Sequence, residues 1–179
     1  MRGAGAVLRR RRGGALRMEQ VAEQLGLVKG NIYYYFKDRQ DLIFHCHVRC
    51  LEMSLEALAA VNKMKASPAE RLRQLLVRHI EIIVGSDYGG ALLADMDEMK
   101  PDQRRRYIAM RDQFEAAVRK LIQEGASKGE FRRTNVALSG FAILGSINWM
   151  PKWYRPEGAL KPRATAEWFA DFFLRALKA

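Results

Sequence analysis

The stretch that most constrains this chain runs from Ala22 to Leu42. It reads Ala-Glu-Gln-Leu-Gly-Leu-Val-Lys-Gly-Asn-Ile-Tyr-Tyr-Tyr-Phe-Lys-Asp-Arg-Gln-Asp-Leu. Val21, Ala22 and Leu25 are spaced for one face of an amphipathic helix, and Gly26 stands where a left-handed glycine commonly ends one. A second short helix is predicted to begin soon after it. Helix, tight glycine turn and short helix make a helix-turn-helix plan, whose second helix can enter the major groove of DNA.

A helical wheel divides that second helix into two faces. Ile32 and Phe36 share one side and anchor it inward. Gly30, Tyr33 and Tyr34 fall opposite, flanked by Lys29 and Asn31. Phenols, amides and lysines are ligands for phosphates and base edges, and a glycine among them permits close backbone approach. The polar face of an ordinary amphipathic helix fits the pattern equally well, so the wheel leaves both readings open.

Residues 28–42, Val-Lys-Gly-Asn-Ile-Tyr-Tyr-Tyr-Phe-Lys-Asp-Arg-Gln-Asp-Leu, resemble the end of the DNA-binding domain of TetR-family transcriptional regulators. In that family a Lys-Gly-x-Leu-Tyr-x-His-Phe-type helix precedes Lys-x-Lys-Glu-x-Leu, which opens a long fourth helix. The resemblance implies an all-α fold. A helix-turn-helix domain would span 1–47, and a helical ligand-binding and dimerisation domain 48–179. It implies a repressor released by a small-molecule effector, with Lys29, Gly30, Asn31, Tyr33, Tyr34, Tyr35, Lys37 and Arg39 at DNA-contacting positions. Tyr35 stands where the family more often has His. The implied partners are a double-stranded operator and a second copy of the chain, joined through the last two helices.

The chain departs from the family upstream. Only Ala4 to Arg12 remain for a first helix, about two turns and too short to be stable unaided. The capping Ser or Thr expected near Leu16 and Arg17 is missing, and Val28 occupies a position where Ser commonly caps the reading helix. Loss of such a cap costs about 1 kcal/mol. These departures bear on operator affinity more than on fold. A helical dimer that binds a small molecule but no longer DNA is therefore the first alternative.

Charge supports a polyanionic partner. The chain has 179 residues and a net charge of +11. Residues 1–50 hold ten Lys/Arg against four Asp/Glu, so +6 of that excess lies beside the helix-turn-helix. A basic protein that binds RNA or a membrane surface is a second alternative, separable by salt dependence without sequence preference. Cys46 and Cys50 are four apart in one predicted helix, a spacing that rarely meets disulfide geometry. Reduced thiols point to a cytoplasmic protein. No apolar run reaches the ~18 residues of a membrane span.

Downstream, helix starts are marked by local chemistry. Asp38 reads as a cap, with the helix it opens running to about Val61. Ser67-Pro68-Ala69-Glu70 is a cap, a first-position proline and an acidic third residue, opening a helix to Gly85. A short helix is expected over Ala91 to Met99, a long one from Pro101 to about Gly125, and another after the Thr134/Asn135 cap. Pro151, Pro156 and Pro162 are expected to bound an irregular connection before a last helix over Ala164 to Lys178.

Asn148-Trp149-Met150-Pro151-Lys152-Trp153-Tyr154-Arg155-Pro156 concentrates aromatics and cations. Core aromatics beside a solvated loop explain it. So does a cavity mouth in which aromatics stack and Lys152 or Arg155 pairs with an anion. The segment resembles TetR-family members with Asn-Trp-x-x-x-Trp-Tyr-Arg-Pro, several of which respond to acyl-CoA thioesters. That resemblance implies an acyl-CoA effector, with Asn148, Trp149, Trp153 and Arg155 as ligand-binding residues.

His45-Cys46-His47 with Cys50 could place pairs of metal ligands on one face, but His45 points elsewhere and no second cluster completes a tetrahedral set. Core cysteines are the simpler reading, and neither metal nor cofactor is expected. No phosphate-cradling glycine loop, HExxH or nucleophile with a base is present, so an enzyme is not expected.

Overall fold

The computed structural model describes residues 17–24, 26–28, 30–86, 88–89 and 96–178. Seven α-helices lie among them: α1 (Met18–Gln24), α2 (Ile32–Tyr35), α3 (Arg39–Asn62), α4 (Pro68–Gly85), α5 (Pro101–Ser127), α6 (Val136–Trp153) and α7 (Pro162–Leu177). A 3-10 turn, Met96–Glu98, precedes α5. No strand occurs among the described residues. The expected first helix over Ala4 to Arg12 and the cap position Leu16 lie outside them. So does most of the short helix expected over Ala91 to Met99, of which the 3-10 turn is the described end.

The caps act as their residue types predict. Asp38 accepts from the Asp41 N–H at 2.8 Å, Ser67 from Glu70 at 3.3 Å and Asn135 from Leu138 at 3.1 Å. Each satisfies a backbone donor that the first helical turn leaves without a carbonyl. Gly26 adopts φ 65 between α1 and α2, and Gly129 adopts φ 74 after α5. Both are left-handed positions where a Cβ would be strained.

Two proline expectations need correction. Pro151 does not end α6, which continues to Trp153. In the last turn a proline forfeits one hydrogen bond only, and the Tyr154 N–H closes the helix on the Met150 carbonyl at 2.8 Å. Pro162 does not belong to the connection either. It is the first residue of α7, with Lys161 as N-cap, where its fixed φ and missing N–H suit the helix start.

Helix α4 is the central post, packing against α3, α5, α6 and α7. Leu72, Leu75, Leu76, Val77 and Ile80 are all fully buried along it. Each such side chain contributes about 1.5–3 kcal/mol relative to an exposed one. Polar ties fix the surrounding helices: Arg73 Nε donates to Asp171 at 2.6 Å on α7, and Arg71 to Glu124 at 3.2 Å on α5. At the far end of α5, the Phe131 ring folds back over Gly125. A Cβ at Gly125 would sit 2.3 Å from that ring.

Candidate functional site

Two regions carry chemistry. The first is the short helix α2. Ile32 and Phe36 are buried against α1, which fixes the inner face. The regular helix is a single turn, shorter than the pattern implies. Hydrogen bonds from Asn31 N to Val28 O at 2.8 Å and from Tyr33 N to Gly30 O at 3.3 Å wind the chain into it. Asn31 stands at the N-cap without a side-chain cap bond.

Gly30, Asn31, Tyr33, Tyr34, Tyr35 and Lys37 all project outward on this unit, with Tyr34 88% exposed. Lys29 lies outside the described residues. The Tyr33 hydroxyl reaches Glu19 on α1 at 3.4 Å, and the Tyr34 and Tyr35 rings meet edge to face. A Cβ at Gly30 would touch nothing within 4 Å, so the fold itself does not require glycine there.

Arg39 behaves differently from the other residues of this set. It is half-buried at the first residue of α3, and its guanidinium pairs with Glu98 in the 3-10 turn. Two further contacts join the same pair of segments. Lys100 Nζ donates to Asp38 at 2.6 Å and Gln103 Nε2 to Asp41 at 3.0 Å. The Lys100 ammonium holds the Asp38 carboxyl below its ordinary value, helped by the Asp41 amide.

The second region is a cavity of about 700 Å³. Its α3 and α4 walls bring Cys50, Ser54 and His79; α5 brings Tyr107, Arg111, Phe114 and Glu115; α6 brings Phe141, Asn148 and Lys152. Met96 and Glu98 close one side. Glu98 therefore borders the cavity and holds Arg39. Burial pushes the Tyr107 phenol up to about 12 and the His79 imidazole down to about 4, so both are neutral near pH 7. Cys46 sits in the core with its thiol pushed up to about 12.

Of the expected ligand-binding residues, only Asn148 lines the cavity. Trp149 is 63% exposed, Trp153 packs on Phe169 of α7 with ring centroids 6.0 Å apart, and Arg155 is exposed beyond the helix end. Side-chain direction advances by about 100° per helical residue, so the neighbours of Asn148 point away from the face it occupies. Phe141, Leu144, Gly145, Asn148 and Lys152 share that face and all line the cavity. Their helical spacing is the sequence signal for that face.

His47 packs edge to face on Tyr107 at 5.2 Å, and both line the cavity. No group of three His, Cys, Asp or Glu placed to hold a metal occurs among the described residues. No helix there is long and apolar enough to cross a membrane.

Comparison with known proteins decides the family. Residues 4–46 match the family described as bacterial regulatory proteins, tetR family, and residues 65–177 match the tetracyclin repressor-like C-terminal domain. The chain belongs to the TetR family.

TetR-family relatives extend this picture. The fatty acid metabolism regulator protein of Bacillus subtilis (strain 168) is 22% identical over 134 residues, covering 73% of this chain and 69% of the relative. The HTH-type transcriptional repressor KstR2 of Mycolicibacterium smegmatis (strain ATCC 700084 / mc(2)155) is 20% identical over 174 residues, covering 89% and 80%. A solved structure of AibR, in complex with isovaleryl coenzyme A and operator DNA, superposes with a TM-score of 0.80 at 21% identity, covering 98% of this chain and 94% of that one. Members of the TetR family are DNA-binding transcriptional regulators.

Proposed function

We propose that this TetR-family regulator is a repressor released when a small anionic-tailed molecule, an acyl-CoA thioester, enters the cavity. One observation carries the reading. The cavity wall at Glu98 pairs with Arg39, in the first turn of the helix that leaves the DNA-reading unit. An occupant that displaces Glu98 or the 3-10 turn disturbs the Arg39, Lys100 and Gln103 ties together. It thereby favours a second position of α3, and differential binding to the two positions shifts their populations.

Cavity chemistry supports the effector class. Lys152 and Arg111 are cations on its wall, and Phe114, Phe141, Leu144 and Ile83 supply an apolar surface. About 700 Å³ is within the usual range of ligand pockets. AibR, similar in fold, was solved with an acyl-CoA and DNA together. On the DNA side the assigned contacts are Lys29, Gly30, Asn31, Tyr33, Tyr34, Tyr35 and Lys37. Arg39 exchanges between phosphate and Glu98. The reading unit is assigned to residues 1–47 and the sensing and pairing unit to 48–179.

A second copy is assigned to the outer faces of α6 and α7. Leu138, Trp149, Trp168 and Phe172 are exposed there, and the Trp168 and Phe172 rings stack at 5.4 Å. Two copies place two reading helices on successive major grooves.

The test is a fluorescence-anisotropy titration of the full chain on DNA from upstream of its own coding sequence, with and without acyl-CoAs of graded length. Specific binding that one chain length abolishes is the expected result. Absence of specific DNA binding alongside retained acyl-CoA binding would favour the DNA-independent ligand-binding dimer. Absence of any response across the series would remove the acyl-CoA assignment.

A further inference from the structure

His79 and Ser54 form a polar island where the cavity meets the α3–α4 packing. Ser54 is fully buried and His79 only 5% exposed, and the Ser54 hydroxyl oxygen lies 2.8 Å from His79 Nδ1. Phe114 covers the ring with centroids 4.5 Å apart. The same hydroxyl lies 3.2 Å from the Cys50 carbonyl four residues back. Both residues line the cavity.

The proton count at this pair is informative. The Ser54 hydroxyl has one proton. If it goes to the Cys50 carbonyl, His79 Nδ1 must donate to the serine oxygen, and Nε2 is a bare acceptor. If it goes to Nδ1, Nε2 carries the proton and is a donor. In both arrangements the ring's hydrogen bond within the protein is made by Nδ1, and Nε2 is left over. Burial keeps the ring neutral, its pKa lowered to about 4, so it offers one donor or one acceptor and no charge. A bridge needed only to tie α3 to α4 would be complete with Nδ1 alone. A ring nitrogen not used by the protein, on a residue of the cavity wall, is available for a hydrogen bond with an occupant.

We propose that the Ser54–His79 pair is the specificity element of the cavity, reading a hydroxyl or keto oxygen on the effector's buried portion and favouring oxygenated ligands over plain hydrocarbon ones. The inference rests on the effector reading above for the identity of the ligand's tail, but the oxygen-reading site stands on its own geometry. A hydroxyl suits either tautomer, because it can give or take the hydrogen bond at Nε2. A keto oxygen selects the tautomer in which Ser54 donates to Nδ1 and Nε2 donates to the ligand. Arg111, Lys152, Glu98 and Glu115 also border the cavity, and charged ligand groups belong with them.

Calorimetric titration of the full chain with hexanoyl-CoA and its positional hydroxy and keto derivatives tests this. At least one oxygenated isomer should bind about three- to tenfold more tightly than the plain chain, the worth of one net hydrogen bond. His79→Phe keeps an aromatic ring against Phe114 and should abolish the preference while retaining the plain chain. Ser54→Ala, which leaves the ring without its anchor, should reduce it. Equal affinities in the wild type, or a preference that survives His79→Phe, would overturn the proposal. If no thioester binds at all, the effector reading fails separately. Proton–nitrogen NMR of His79 with cyclohexanol and cyclohexanone then decides: movement of the Nε2 resonance supports the oxygen-reading site, and a resonance unmoved by either overturns it.

Discussion

Lys100 Nζ lies 2.6 Å from the Asp38 carboxylate, joining two residues that are 62 positions apart. One caps the helix that leaves the DNA-reading unit; the other is the N-cap of α5. The Asp38 carboxylate serves both ends, because one oxygen accepts the Asp41 amide and the other the lysine. Loss of Lys100 leaves the cap in place and removes only the tie. Lys100→Ala should therefore keep helicity while lowering operator affinity and easing effector release, on the order of fivefold in the concentration needed. Anisotropy at fixed operator and rising effector measures it. An unchanged release curve would show that this contact does not couple the two units.

Gly30 and Tyr34 make a matched pair for the DNA assignment. Open space around Gly30 means that Gly30→Ala should leave the melting temperature within experimental error, yet lower operator affinity by hindering backbone approach. Tyr34→Ala should weaken binding on specific and nonspecific DNA alike, by about 1 kcal/mol, since the phenol is assigned to phosphate. Equal affinity of wild type and both variants would place the interface elsewhere.

Gly125 is the opposite case. A methyl group there would fall 2.3 Å from the Phe131 ring, which is buried and cannot swing into solvent. Gly125→Ala should destabilise the chain by about 1–3 kcal/mol, the usual cost of overpacking. Phe131→Leu in the same background should recover part of the loss. Chemical denaturation of the single and double variants measures the coupling.

His79 makes stability depend on pH in a predictable direction. Its folded pKa of about 4 lies below the ordinary 6.5. Between these values the unfolded chain binds a proton that the folded chain refuses. The contribution is present in full above pH 6.5 and is lost as pH falls toward 4. The loss reaches roughly 3 kcal/mol at most. Among the described residues the ring meets Ser54 on α3 by a hydrogen bond and Phe114 on α5 by ring contact, and neither carries a compensating charge. Urea titrations from pH 7 to 4 on wild type and His79→Phe should differ in slope. Parallel curves would show that another group controls the acid limb.

What could be read from the sequence divides along physical lines. Caps are local: Asp38, Ser67 and Asn135 each bond an amide three residues on, so residue type and spacing suffice to place them. The inner face of α2 follows from Ile32 and Phe36 being four apart. The cavity draws on α3, α4, α5 and α6, and no local pattern encodes where four helices leave a gap. His79 looks like one more member of a buried stripe until α3 puts Ser54 against it. The aromatic density around Trp149 and Trp153 belongs to outward and α7-facing surfaces, while the quieter Asn148 and Lys152 face the cavity. Pro151 misled for a related reason: its cost depends on how many helical bonds follow it, which residue type alone does not tell.

Helix α3 runs unbroken through 24 residues from Arg39 to Asn62, with no proline or glycine within it. At 1.5 Å per residue it is a rod about 36 Å long. Angles at one end become distances at the other: a tilt of about 3° around the Asn62 end carries Arg39 sideways by about 2 Å. Moving the tip by the width of a hydrogen bond thus requires only roughly 0.6 Å at Ser54 and roughly 1.2 Å at His47, where α3 lines the cavity. A modest effector can have a mechanical advantage in this chain without any large rearrangement of the packing around it.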